Sequence, residues 1–434
     1  MPVKTSSRPA AQRRLINVDG PKLGYVPNFD GMRGIFVLQV VLFHAKVTTF
    51  LTGSPILIDL FFVLSGFLIT YLLLDECKKS GDISLRRFYM RRVLRLFPAM
   101  YLMVGIFTVL MVAIQLFGPP EVRDLLSNWW LEVVGAVTYT YFILAAFFPT
   151  SMGLLGLLWT LSVEEFFYLL WPPSIRRVLR RGTLRSDVIV IGISLAFIAL
   201  MFFLRSHFQF VVGSAAEGAA KYADVLGGTG STMGRVAGTE IAGGARELPQ
   251  YASSWQGVVY RLASMRPDMI VWGSLMAFVA KSIPRPVPDR IRRWTTFLGV
   301  CGWGFLIATS LFAAPGPPGP LALFGGLLYQ FSLLMLGPVV IDAYLRQDTF
   351  YTWPFRLAPS KWLGERSYGI YLWHALVLLV GAPVILAASG AMQKVLGVVV
   401  TVIAVGVGAL SFRYIELRFL KLKDRKFASP AASK

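Results

Sequence analysis

Charge is scarce in this 434-residue chain. Asp, Glu, Lys and Arg make up 15% of it, against about a quarter in an ordinary soluble domain. Apolar residues reach 55%, above the roughly 45–50% of soluble proteins. These figures exclude a soluble globular enzyme and a disordered chain, and they describe a polytopic membrane protein. Cysteine is nearly absent: Cys77 and Cys301 fall in a basic loop and an apolar run, which excludes a disulfide scaffold. With three histidines in all (His44, His207, His374), no His/Cys spacing suits a metal, and none is expected. Acid is scarcer than base, 23 Asp+Glu against 43 Lys+Arg, for a net charge of +20. In a soluble protein that excess points to nucleic acid. Here the basic residues sit in short clusters between apolar runs, as the positive-inside rule describes for cytoplasmic loops, so a lipid bilayer and not nucleic acid is the expected partner.

Apolar runs long enough to cross a hydrocarbon core of about 30 Å lie near 34–51, 55–74, 93–117, 153–172, 187–207, 267–281, 294–313, 320–344, 364–386 and 394–413. The loop 75–92 carries Lys78, Lys79, Arg86, Arg87, Arg91 and Arg92, and the loop 174–186 carries Arg176, Arg177, Arg180, Arg181 and Arg185. Both are therefore expected on the cytoplasmic side, with an even number of spans between them. Three apolar stretches lie there, so one must fail to span. The stretch 131–149, interrupted by Thr138, Tyr139, Thr140 and Tyr141, is the one expected to be re-entrant or to lie at the surface. The later basic clusters, Arg285 to Arg293, Arg346 to Lys361 and Arg413 to Lys426, then also fall inside. The expectation is an all-α, multi-pass cell-membrane protein of about ten transmembrane helices with both termini cytoplasmic. Residues 1–27 read as a polar N-terminal tail, 28–420 as the membrane domain and 421–434 as a C-terminal tail with no room for an appended soluble domain. The segment 208–266 is the only long exterior loop. Gly213 to Gly244 within it has no periodic apolar face and reads as a flexible insertion or an acceptor-binding lid.

Titratable groups at membrane depth are costly, which makes them functional candidates. Arg33 lies at the mouth of the first span and His44 eleven residues later, about 16 Å deeper and nearly on the same helix face. Arg33 can thus meet an anion at the surface with His44 above it near the midplane; a cross-helix hydrogen bond is the bland alternative for the histidine. Glu164 and Glu165 are adjacent at mid-span and point about 100° apart, so the two are not expected to share a partner. One can orient a histidine, as carboxylates do in acyl-transfer sites, or pair with an arginine of a neighbouring span. Asp59 lies near the outer end of the second span and is open to an exposed position at the interface. His374 lies about as deep as His44, on another span, with packing or a hydrogen bond as its plain role. Arg92 and Arg95, an i, i+3 pair at a helix start, can clamp a phosphorylated ligand or touch lipid headgroups. With Arg33 they make three arginines at one face.

These motifs resemble those of the acyltransferase-3 family of integral membrane O-acyltransferases. Asn28-Phe-Asp-Gly-Met-Arg-Gly34 through His44, with Asp30 inside it, is similar to the family opening, an arginine followed by ten residues and a histidine. Ile58-Asp-Leu-Phe-Phe-Val-Leu-Ser-Gly-Phe-Leu-Ile69 resembles the second-span signature, and Arg92-Val-Leu-Arg95 the paired-arginine motif. Trp159 to Pro172 resembles the segment carrying a Ser-x-Glu element, here Ser162-Val-Glu164. Ser367-Tyr-Gly-Ile-Tyr-Leu-Trp-His374, with Tyr368, and Phe412-Arg-Tyr-Ile-Glu416 resemble the last two spans. Phe166 stands where Gln is common and Met32 where Leu is common.

The resemblance implies transfer of an acyl group, usually acetyl, from cytoplasmic acyl-CoA to a hydroxyl of a sugar-containing acceptor: a surface glycan, a glycolipid or a glycosylated small molecule. On that reading Arg33, Arg92 and Arg95 hold the phosphates of coenzyme A. His44 serves as general base or transient acyl carrier, and Glu164 orients it. Asp30, Asp59, Ser162, Glu165, Tyr368 and His374 are the further candidates. The rival class is a non-enzymatic transporter or flippase, which does not require a cytoplasmic arginine triad set under a midplane histidine.

Overall fold

The computed structural model describes residues 14–48, 55–148, 154–226, 255–312 and 320–427, and among them every regular element is helical. The first three helices are α1 (Pro27–His44), α2 (Pro55–Ser80) and α3 (Leu85–Phe117). Short pieces follow, α4 (Pro120–Leu125), α5 (Trp129–Thr138) and α6 (Tyr141–Phe147), then the longer α7 (Leu158–Arg181) and α8 (Leu184–Leu226). After the undescribed stretch come α9 (Trp255–Ser264), α10 (Pro267–Ser282), α11 (Asp289–Phe312) and α12 (Pro320–Leu345). The chain ends on the short α13 (Trp353–Arg356) and α14 (Ala358–Glu365), the long α15 (Ser367–Ala387) and α16 (Gly390–Ser411), a π-helical turn Phe412–Glu416, and α17 (Leu417–Phe427). Among the described residues, five stretches are long and apolar enough to cross a membrane by length and composition: Ile58–Ser80, Leu85–Phe117, Leu184–Arg205, Ser367–Ile385 and Gly390–Leu422. The all-helical, multi-pass membrane architecture follows from these.

Helix ends depart from the apolar runs where the backbone forbids continuation. α1 starts at Pro27, whose fixed φ suits a first helical residue, and stops at His44; Lys46 then takes a left-handed conformation with φ 60°. His44 therefore sits at a helix terminus and not within a span running to residue 51. The stretch 131–149 is broken at Tyr139, also left-handed at φ 56°. It yields two helices of 10 and 7 residues, about 15 Å and 10 Å long, and neither crosses a bilayer. The buried carboxylate of Glu132 fixes that break, accepting from the Tyr141 phenol at 2.5 Å and from the Leu154 and Leu155 amides at 3.0 and 3.1 Å.

The expected loop 208–266 is shorter than the sequence suggested. α8 continues through Leu226, in keeping with its alanines at 215, 216, 219, 220 and 223, and Trp255–Ser264 forms α9. The remainder of the Gly-rich insertion, 227–254, lies outside the described residues. The N-terminal tail is also docked from Arg14 on. Asp187 accepts from the Arg14 guanidinium at 2.8 Å and from the Leu15 and Ile16 amides at 3.1 Å. Pro21 offers its carbonyl to Tyr71 at 2.7 Å and to Lys281 at 2.9 Å, while Lys78 donates to the Asp19 carbonyl at 2.7 Å.

The same contacts gather the basic loops at one end of the bundle. Asp82, between α2 and α3, accepts from Arg176 and Arg180 near the end of α7, at 2.6 and 2.7 Å. Lys281 pairs with Asp75, and Asn28 at the start of α1 donates to the Ala343 and Arg346 carbonyls at the end of α12. The two loops that charge counting assigns to one side therefore meet. Hydrogen bonds from Arg176 and then Arg180 hold the Asp82 carboxyl below the usual carboxylate range. Because the folded value is depressed, this stabilisation is present above the unfolded Asp value of about 3.9 and is lost as pH falls through the folded one. Melting curves in detergent should accordingly show Asp82→Asn weakening the protein at neutral pH, with the difference from wild type shrinking below about pH 4.

The crossing of α2 with α10 is close enough to require glycine on both helices. A Cβ on Gly66 of α2 would lie 1.8 Å from the Ile270 carbonyl oxygen, and one on Gly273 of α10 would lie 2.0 Å from that of Val63. Small residues let these backbones touch, the packing that replaces the hydrophobic drive lost in lipid. Opposite the basic end, α10 also anchors a buried charge network. Arg205 grips Asp268 with two bonds of 2.7 Å and donates to the Ala263 carbonyl at 3.1 Å; Arg266 pairs with Asp59 beside it. Removing one side of such a buried pair costs about 3–5 kcal/mol, whereas replacing both sides with apolar residues is often neutral. Asp268→Asn is therefore expected to destabilise strongly in a detergent melt, and Arg205→Met with Asp268→Leu to recover most of the loss.

Candidate active site

Five elements converge on the arginines expected from the sequence. α1 supplies Arg33, α3 supplies Arg92 and Arg95, α7 supplies Glu164, Glu165 and Tyr168, and α2 contributes Ser65. The π-helical turn adds Glu416, which lies within electrostatic range of Arg95. Arg95 also lies within electrostatic range of both Arg33 and Arg92. The three cations thus occupy one region, as their placement at one face implied.

Their surroundings differ. The Arg92 guanidinium donates to Glu165 at 3.3 Å and lies 3.3 Å over the centre of the Tyr168 ring, a cation–π contact. Its Nε has no hydrogen-bond partner among the described residues. Arg33 and Arg95 make no ion pair or hydrogen bond among the described residues. Arg95 is exposed to solvent, with Arg33, Arg92, Tyr168 and Glu416 within electrostatic range of it. Arginines in such a group can receive an anion with several oxygens. Glu165 takes the arginine-pairing role that was one of its two expected readings.

Glu164 is brought to Ser65, whose hydroxyl donates to it at 2.7 Å, and it lies within electrostatic range of Arg92 and Arg33. The orienting contact expected between Glu164 and His44 is thus made otherwise. The Nδ1 of His44 bonds the Val40 carbonyl at 2.7 Å, one turn back in its own helix. A carbonyl only accepts, so Nδ1 carries the hydrogen and Nε2 is the basic nitrogen of the neutral ring. His44 ends α1, so the carbonyl-rich, negative end of that helix faces any positive charge that develops on the ring.

The remaining candidates separate. His374 is fully buried with its ring centre 5.5 Å from that of His44, a pairing that equal depth hinted at but could not place. Tyr368 donates to the Leu96 carbonyl at 2.6 Å, tying α15 to α3 next to Arg95. Ser162 is buried and bonds the Leu158 carbonyl of its own helix at 3.0 Å, so it is not brought to the arginines. Asp30 sits beside Tyr25 at the entry to α1, on the arginine side of the fold. Asp59 is a correction: it is buried at 0% exposure against Arg266 and is not exposed at the interface, because Arg266 adopts a left-handed conformation before α10 that reaches it.

Sequence reasoning missed Ser65, Tyr168, Tyr371 and Glu416. Tyr168 carried a usable signal, since it follows Glu164 by four residues and shares its helix face. Tyr371 donates to the Leu157 carbonyl at 3.0 Å, and its phenol also meets the Thr160 hydroxyl at 2.8 Å.

The fold is an all-helical membrane bundle with three arginines in one region and a histidine at the far end of α1. The acyltransferase-3 family model, described as an acyltransferase domain, matches residues 26–412, and the chain belongs to that family. It is 29% identical over 410 residues to the peptidoglycan O-acetyltransferase OatA of Listeria monocytogenes, covering 90% of this chain and 55% of that protein. It is 27% identical over 404 residues to YrhL of Bacillus subtilis, a candidate peptidoglycan O-acetyltransferase, covering 90% of this chain and 54% of that one. A candidate O-acetyltransferase of Staphylococcus aureus is 34% identical over 196 residues, 43% of this chain and 31% of the relative. The chain thus spans about half the length of the first two of these relatives. No solved structure matches it.

Proposed function

We propose that the protein is a membrane O-acetyltransferase that moves an acetyl group from acyl-CoA to a hydroxyl of a sugar-containing acceptor, with a cell-wall glycan as the acceptor class. The peptidoglycan O-acetyltransferases among the relatives support the reaction type, and the pair Arg33–Arg95 carries the donor assignment. Two cations without partners among the described residues, next to an Arg92 held by Glu165 and Tyr168, suit the phosphates of coenzyme A. The basic end of the bundle is then the cytoplasmic face, both termini lie there, and acyl-CoA reaches the site from that side. The pantetheine arm runs along α1 from Arg33 toward His44, about 16 Å away. At His44 the acceptor oxygen attacks the thioester carbon as the carbon–sulfur bond breaks. Nε2 takes the hydroxyl proton and returns it to the departing thiolate. Glu164, bound to Ser65, balances Arg92 and Arg33, so that the arginines are not repelled from one another when the donor is absent.

The test is the O-acetyl content of surface glycans from cells with and without the gene, read by mass spectrometry. Loss of acetyl esters from one glycan class, restored by the wild-type gene, supports the reading; unchanged esters with a changed distribution of an unmodified glycan point to transport instead.

A further inference from the structure

Tyr139, at the tip of the hairpin formed by α5 and α6, holds a conformation that its type of side chain rarely adopts. Its φ of 56° lies in the left-handed region, where a bulky residue is strained. The ring is stacked on Phe97 of α3, with centres 5.2 Å apart and an interplanar angle of 27°. Tyr101, one turn further along α3, lies edge-on to Phe97 at 5.3 Å and donates to the Val137 carbonyl at 3.2 Å, which pins the tip to that helix. The hydroxyl oxygen of Tyr139 is buried and has no hydrogen-bond partner among the described residues. Phenylalanine would make the same stack without burying an unpaired group, and glycine would make the turn without strain. Neither packing nor conformation accounts for a tyrosine here.

The hairpin carries this phenol to the donor site. At the end of α6 away from Tyr139, the Ala146 carbonyl accepts from Arg261 at 2.6 Å. Arg261 lies two residues before Ala263, whose carbonyl belongs to the Arg205–Asp268 network opposite the basic end. At the tip, Tyr139 lies within electrostatic range of Arg92, Glu165 and Tyr368. Its support Phe97 is two residues past Arg95 on α3, about 3 Å further from the basic end than that arginine. Tyr368 gives its own hydrogen to the Leu96 carbonyl at 2.6 Å, and the Arg92 guanidinium is engaged by Glu165 and the Tyr168 ring. Resting on the acyl-transfer reading, we propose that the Tyr139 phenol donates to an amide carbonyl of the pantetheine arm of acyl-CoA and so positions the thioester beyond the arginines. A neutral amide suits the place. Arg92, the cation in range of the phenol, is already paired with Glu165, and a phenol supplies the single hydrogen that an amide carbonyl accepts.

The experiment measures acetyl transfer to chitotetraose by the purified full chain in nanodiscs, together with melting curves of the same samples. Two donors are compared: acetyl-CoA, and acetyl-pantetheine, which keeps the amides and lacks the nucleotide phosphates. Tyr139→Phe retains the stack on Phe97 and removes only the hydroxyl. It should raise KM by about 3–10-fold for both donors, leave kcat within about twofold and melt no lower than wild type. Arg95→Gln should raise KM for acetyl-CoA alone, so the two variants separate the arm from the phosphates. An unchanged KM for both donors in Tyr139→Phe overturns the assignment. A rise confined to acetyl-CoA also overturns it, because the phenol would then serve a phosphate. A lower melting temperature with loss of kcat overturns it as well, by marking the hydroxyl as structural. Failure of the wild type to transfer acetyl at all overturns the proposed function, and this assignment with it.

Discussion

His44→Ala is expected to lower acetyl transfer by about 10³-fold while leaving insertion into the membrane and the KM for acetyl-CoA close to wild type. The separation follows from the geometry. His44 stands about 16 Å along α1 from Arg33, so it does not contact the phosphates that anchor the donor. Its Nδ1 is bonded to the Val40 carbonyl, which fixes Nε2 as the base without help from another helix. Truncation to alanine removes that base and one local hydrogen bond at the end of α1, and a helix terminus tolerates the change better than a helix interior does. Initial rates across acetyl-CoA concentrations, with surface expression as control, check the result. A variant that lost donor affinity and rate together would place His44 in binding instead of proton transfer.

The second large effect belongs to Arg95. Arg95→Gln should raise the acetyl-CoA KM by about 10–100-fold, the equivalent of one charge-assisted contact worth about 1.5–3 kcal/mol. Arg95 has no ion-pair or hydrogen-bond partner among the described residues, so its replacement breaks no such contact, and the buried Glu416 loses only a cation within electrostatic range. Arg92 differs, because removing it strands Glu165 and uncovers the Tyr168 ring. Arg92→Gln is accordingly expected to cost stability as well as affinity. Acetyl-pantetheine separates the two effects, since it carries the thioester without the nucleotide phosphates. Its KM should be indifferent to Arg95→Gln, and a shift as large as that for acetyl-CoA would retire the phosphate assignment.

The parts legible in the sequence were those governed by one helix or by counting charges. The spacing from Arg33 to His44 is a property of α1 alone, and the gathering of basic loops at one end follows from Lys and Arg counts. The structure brings Asp82 to Arg176 and Arg180 in keeping with that count. The failure of 131–149 to span was visible too, since the polar and aromatic interruption coincides with the left-handed Tyr139. What one sequence does not carry is azimuth, the side of a helix that faces a given neighbour. His374 was read as level with His44, yet that the two are neighbours was invisible until α15 and α1 were set side by side. The same gap let Glu164 be matched with His44 when its nearest hydroxyl was Ser65, and let Asp59 pass as exposed when Arg266 covers it. The docking of Arg14 to Leu23 was hidden for another reason. It rests on backbone amides and carbonyls, such as those of Ile16 and Pro21, which any residue supplies.

Purified wild-type protein in nanodiscs, given acetyl-CoA labelled in the acetyl group and a peptidoglycan-derived oligosaccharide, tests the central claim most directly. The account predicts that label appears on the oligosaccharide as an alkali-labile ester and that His44→Ala abolishes it. Label transferred equally well by His44→Ala, or an oligosaccharide carried across the bilayer without label, would contradict it.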